Sequence, residues 1–79
     1  MTPIKTTWED VNAASDAESK ASLAFVEARI TQLSFTGEDA TDVVAEVEHA
    51  EQTYLESVDH HRAVFEAYKK WILYDSGLE

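Results

Sequence analysis

Nine residues spaced by three or four positions dominate what this chain can become: Val43, Val47, Ala50, Tyr54, Val58, His61, Phe65, Tyr68 and Ile72. At about 100° of turn per residue they fall within roughly 40° of one line along a helix. No glycine or proline interrupts the run. A stripe of this length is the seam of a helix packed from end to end. Val44 and Leu55 widen it on one side, and Val64 and Trp71 on the other.

The stretch Ser34-Phe35-Thr36-Gly37-Glu38-Asp39 is the one credible turn. Gly37 in the left-handed conformation would end a first helix. Thr36 would cap the second, with Glu38 and Asp39 facing the positive end of its dipole. At the start, Thr6 with Glu9 and Thr7 with Asp10 are equivalent capping boxes. The spacing predicts helices over about 7–34 and about 37–75, the second stopped by Ser76-Gly77. They would be roughly 40 Å and 55 Å long. A short connection makes them antiparallel neighbours, an all-α helical hairpin forming a single domain over residues 1–79.

The first helix is apolar on two edges. One is small: Ala14, Ala17, Ala21, Ala24 and Ala28, ending on Phe35. The other is bulky: Trp8, Leu23, Val26, Ile30 and Leu33. Glu9, Asp16, Lys20 and Glu27 mark the polar strip between them. Two apolar edges need two neighbours, and a hairpin supplies one. The expected closure is a homodimeric four-helix bundle. Its expected interface is the second-helix stripe, through Val47, Tyr54, Val58, His61, Phe65, Tyr68, Trp71 and Ile72.

Sixteen acids against six bases give a net charge of −10. Direct contact with nucleic acid or an anionic membrane needs the opposite sign. With no cysteine, disulfides and thiolate metal sites are excluded. The N-terminus lacks the apolar core of a signal peptide, so the expected location is cytoplasmic. No glycine-rich phosphate loop, nucleophile elbow or cysteine nucleophile is present. The chain is therefore expected to be no enzyme and to use no cofactor.

Four features remain as candidate sites. From Glu38 to Asp59 the second helix carries acids and neither lysine nor arginine. Dipole complementarity accounts for the first turn of such a run but fades beyond it. Glu46, Glu48, Glu56 and Asp59 are thus an expected surface for a basic or nucleic-acid-binding protein, imitating the negative field of DNA. At the far end Tyr68, Trp71 and Tyr74 are expected anchors, because Trp and Tyr dominate binding hot spots. The second helix should outrun the first there. His61 is the titratable residue inside the stripe, level with about Asn12 to Asp16, which makes Asp16 its candidate partner. Charging an imidazole in an apolar seam is costly without a nearby acid, so acid pH is expected to loosen the assembly.

The fourth feature is Glu46-x-x-His49, which resembles the Glu-x-x-His element of ferritin-like di-iron proteins. Glu27 lies at the same distance from the turn. The resemblance implies a metal held by Glu27, Glu46 and His49 at a subunit interface, the alternative to a partner-binding role. In size, acidity and helicity the chain is also similar to small acidic inhibitors carried by bacteriophages. The expected function is a non-catalytic, self-associating module that binds or inhibits another macromolecule; a structural or assembly subunit is the further alternative.

Overall fold

The computed structural model describes residues 2–37 and 40–78. Two helices, α1 (Trp8–Ser34) and α2 (Thr41–Asp75), make up the fold, and no strand occurs among the described residues. Their contacts run antiparallel: Trp8 meets Tyr68, Glu18 meets His61, and Phe25 meets Tyr54. The hairpin measures 62 × 19 × 12 Å.

The inward sides follow a seven-residue repeat. On α1 the buried and half-buried line is Val11, Ala14, Glu18, Ala21, Phe25, Ala28 and Gln32. On α2 it is Val43, Val47, Ala50, Tyr54, Ser57, His61, Val64, Tyr68 and Trp71. Steps alternating three and four average 3.5 residues per turn, the period of a left-handed supercoil. A straight helix drifts by about 20° per heptad against that repeat. Over the four heptads of α2 the inward line therefore leaves the predicted stripe. It ends on Val64 and Trp71, while Phe65 and Ile72 are 40% and 41% exposed.

α1 turns its alanine side to α2, not its bulky side. Ala14, Ala21 and Ala28 recur every seventh residue, and the first two are almost fully covered. Small side chains let the two backbones approach closely, which strengthens dispersion along the seam. Ala17 and Ala24, assigned by their spacing to the same edge, are exposed. Leu23, Val26, Ile30 and Leu33 are left outside at 51–80% exposure.

The ends are set by local chemistry. Of the two possible starts, the structure uses Thr7. Its Oγ1 accepts from the Asp10 N–H at 3.3 Å, and its own N–H donates to Asp10 Oδ2 at 2.8 Å. Thr6 is instead buried, its hydroxyl donating to the Ile4 carbonyl at 3.1 Å. α1 stops at Phe35, which is extended (φ −73°, ψ 128°), and Gly37 does not take the left-handed conformation. Gly37 instead makes room for the Phe35 ring, whose Cζ would stand 2.5 Å from an added Cβ. α2 begins at Thr41, later than predicted, after Ala40 with no side-chain cap. Thr36 therefore does not cap it, and the predicted first-turn acids Glu38 and Asp39 lie outside the described residues.

The stop at Ser76-Gly77 is as predicted. Gly77 has φ 74°, its N–H donates to the Tyr74 carbonyl, and the Leu78 N–H reaches the Leu73 carbonyl. These two bonds form a Schellman motif, which needs a left-handed residue after the cap. Gly77→Ala is expected to cost about 1 kcal/mol at that end. Hydrogen exchange should show faster amides at Gly77 and Leu78 with those of α2's centre unchanged.

Little of this seam is deeply buried. The covered apolar residues are Val11, Ala14, Ala21 and Val47, and no large side chain is fully buried among the described residues. The chain exposes 6074 Å², where a compact fold of its mass would expose about 4,800 Å². Its radius of gyration is 18.0 Å, against about 12 Å for a compact chain of this length.

Candidate functional site

Writing the two seams as positions a and d of the heptad gives the hairpin two flanks. In an antiparallel pair, g positions meet on one flank and e positions on the other. Each predicted site residue can be placed on this frame.

The predicted interface stripe is largely consumed within the chain. Val47 is 5% exposed, and Tyr54, His61, Tyr68 and Trp71 are half-buried on the seam. Tyr54 packs on Phe25 with ring centroids 6.0 Å apart, and Tyr68 on Trp8 at 5.5 Å. Phe25 and Val11, the most covered residue at 3% exposure, are contacts that the spacing did not single out. Glu18 and Gln32 interrupt their line, so it reads as less apolar than the bulky row that stays outside. Trp71 and Tyr74 stack on each other at 5.7 Å along the end of α2. That end is not bare: Thr2, Pro3 and Ile4 lie beside Ala67 and Lys70.

His61 does have an acid neighbour, supplied by Glu18 and not by Asp16. Nδ1 stands 3.2 Å from Glu18 Oε2, both side chains 29% exposed. A neutral ring can donate its Nδ1–H to that carboxylate, so His61 has a polar partner within the seam. The pair also acts on register. Sliding α1 by one heptad would set His61 against Val11 or Phe25, and Glu18 against Tyr54 or Tyr68. Each polar head would then lack its partner, so the pair penalises slippage.

The g flank carries two shallow open grooves. The one nearer the turn, about 460 Å³, is floored by Ala21, Ala24, Ala28 and Ala50 and edged by Glu27, Glu46, His49, Thr31 and Thr53. The structure thus brings Glu27, Glu46 and His49 to one place, as their common level predicts. Yet no group of three or more His, Cys, Asp or Glu side chains is placed to hold a metal ion among the described residues. The second groove, about 530 Å³, runs from Ile4 and Asp10 past Ala17 to His60 and Ala67.

The four predicted acids do not form one patch. Glu48, Glu56 and Asp59 are exposed on the outward sides of α2, whereas Glu46 turns to the groove. Lys69 bridges to Glu66 at 2.9 Å and lies over the Phe65 ring at 5.4 Å.

The e flank is different in kind. Its e positions are Trp8, Ser15, Ser22 and Arg29 on α1, facing Val44, Glu51, Val58, Phe65 and Ile72 on α2. The adjoining b positions add Val26, Leu33 and Leu55. Trp8 is 54% exposed, Val26 51%, Leu33 80% and Leu55 48%. Phe65 and Ile72, displaced from the seam by the supercoil, finish on this flank. Neither helix is long and apolar enough to cross a membrane. No family model matches the chain, no curated protein matches it in sequence, and no solved structure matches it in fold.

Proposed function

We propose that this protein is a non-catalytic interaction module that associates with itself and offers its acidic outer surface to another macromolecule. The observation that supports this most is the mismatch between its apolar content and its burial. With no large side chain fully buried among the described residues, the hairpin leaves Leu23, Val26, Ile30, Leu33, Leu55 and Phe65 at 40% exposure or more. Contiguous apolar patches on that scale mark association surfaces. Association is expected through the e flank, since α1 already covers the seam of α2. The exposed acids Glu56 and Asp59, which lie off that flank, then suit a basic partner, by charge complementarity.

Sedimentation equilibrium tests the first half. The expected mass at tens of micromolar is a multiple of 8.9 kDa, with a melting temperature that rises with protein concentration. A monomer at every concentration would overturn the reading. For the second half, an oligolysine peptide should bind, lose affinity with salt, and bind the Glu56→Lys/Asp59→Lys variant more weakly.

A further inference from the structure

Resting on the self-association proposed above, we infer that a second copy of this chain covers the e flank, with both turns at the same end of a four-helix bundle. Three observations converge on it: area, charge and register.

The area fits a dimer. Each hairpin exposes 6074 Å². For two of them to reach the compactness of a folded body of twice the mass, on the order of 4,000 Å² must be buried in total. Obligate homodimers bury about 2,000–5,000 Å². Small contact patches would not meet that demand, and a flank running the length of the hairpin would.

Charge explains how a chain of net charge −10 can meet its own copy. The acids sit mainly at c, f and g positions, on the other sides of the hairpin. On the e and b positions of the two helices, Arg29, Arg62 and Lys69 stand against Glu48 and Glu51. The flank is therefore slightly positive while the rest is strongly negative. Self-repulsion, the main electrostatic obstacle to pairing, is lowest on the flank that also carries the bulkiest apolar side chains.

Register selects the orientation. The alignment that sets Phe25 beside Tyr54 also puts Leu33 level with Val44, and Ser22 level with Leu55 and Val58. With both turns at one end, α1 of each copy lies across from α2 of the other. Leu33 then meets Val44, Arg29 meets Glu48 and Glu51, and Trp8 meets Phe65 and Ile72. Ser22, being small, leaves room for Leu55 and Val58 of the other copy. Leu23 and Ile30 lie one position further round α1, on the rim of this contact. With turns at opposite ends, α1 would lie on α1, and Leu23, Val26 and Ile30 would face Ser19, Ser15 and Asn12. That arrangement leaves the apolar half of α1 against a polar one.

The test uses the full chain, which contains no cysteine. Thr36→Cys, at the turn, carries a nitroxide label for dipolar distance measurement. Turns at one end give a single distance well short of the 62 Å hairpin length. A distance near that length would overturn the orientation. Leu55→Asp and Val26→Asp, on different helices, are each expected to weaken self-association at least about tenfold, with helicity checked by circular dichroism. Thr53→Asp, on the groove flank, should leave it unchanged. Association that survives both e-flank changes, or is lost with Thr53→Asp alone, would overturn the face while leaving the self-associating reading standing. A monomeric unsubstituted chain would overturn both.

Discussion

Val47→Asp is expected to abolish the cooperative thermal unfolding of this protein and most of its helical circular dichroism at 222 nm. Val47 is 5% exposed, the most covered residue of α2, on the seam against α1. The substitution forfeits about 1.5 kcal/mol of apolar transfer free energy. It also places a carboxylate in the covered seam, a further cost of several kcal/mol. A domain of this length has only about 4–12 kcal/mol of stability in total. The loss falls on a chain whose covered apolar residues are small and whose helices depend on packing. Ala45→Asp, two residues away and exposed, is the control and should keep the helical signal. A cooperative melt retained by Val47→Asp would contradict the seam itself.

The second large effect runs the other way. Replacing both Glu18 and His61 by leucine is expected to stabilise the hairpin by about 1–2 kcal/mol. The pair is part-buried, with each side chain 29% exposed, so its hydrogen bond is worth about 1 kcal/mol net. Two leucines in those seam positions would gain about 1.5 kcal/mol or more each from apolar burial. The melting temperature should rise by about 4–8 °C per kcal/mol. Either single substitution should do less than half as much, since it strands the remaining polar head. A fall in melting temperature of the double variant would mean that the polar pair stabilises more than apolar packing could. The pair's retention in the seam then makes sense as a register device, because the leucine variant loses the penalty on sliding by a heptad.

These two substitutions probe opposite properties of one seam. Val47 shows how much of the fold hangs on a narrow strip of close contact. Replacing Glu18 and His61 tests whether the strip is optimised for stability alone. Both depend on α1 presenting its alanine side, which also leaves the bulky residues outside. The exposed e flank is therefore a direct consequence of how the hairpin closes. Had α1 packed through Leu23, Val26, Ile30 and Leu33, the alanine face would be outside and the drive to associate far weaker.

Two long helices, one turn and an antiparallel hairpin were legible in the sequence, because they rest on local physics. Thr7 with Asp10 caps one helix, Gly77 ends the other, and nothing between Thr41 and Asp75 breaks a helix. The common level of Glu27, Glu46 and His49 was legible too, since distance from the turn fixes it. Three things only the tertiary structure decided. The inward line of α2 passes through Val64 and Trp71, since supercoiling changes the period from 3.6 to 3.5 residues per turn. α1 turns inward the line of Val11, Ala14, Ala21, Phe25 and Ala28 and leaves its larger apolar row outside, a choice between two apolar sides that the helix alone does not make. Glu18, not Asp16, meets His61, because both occupy a positions of facing heptads, a relation no single helix contains. Local sequence specifies which residues are helical and where the helices stop; which of several apolar sides becomes the core depends on the neighbour it packs against.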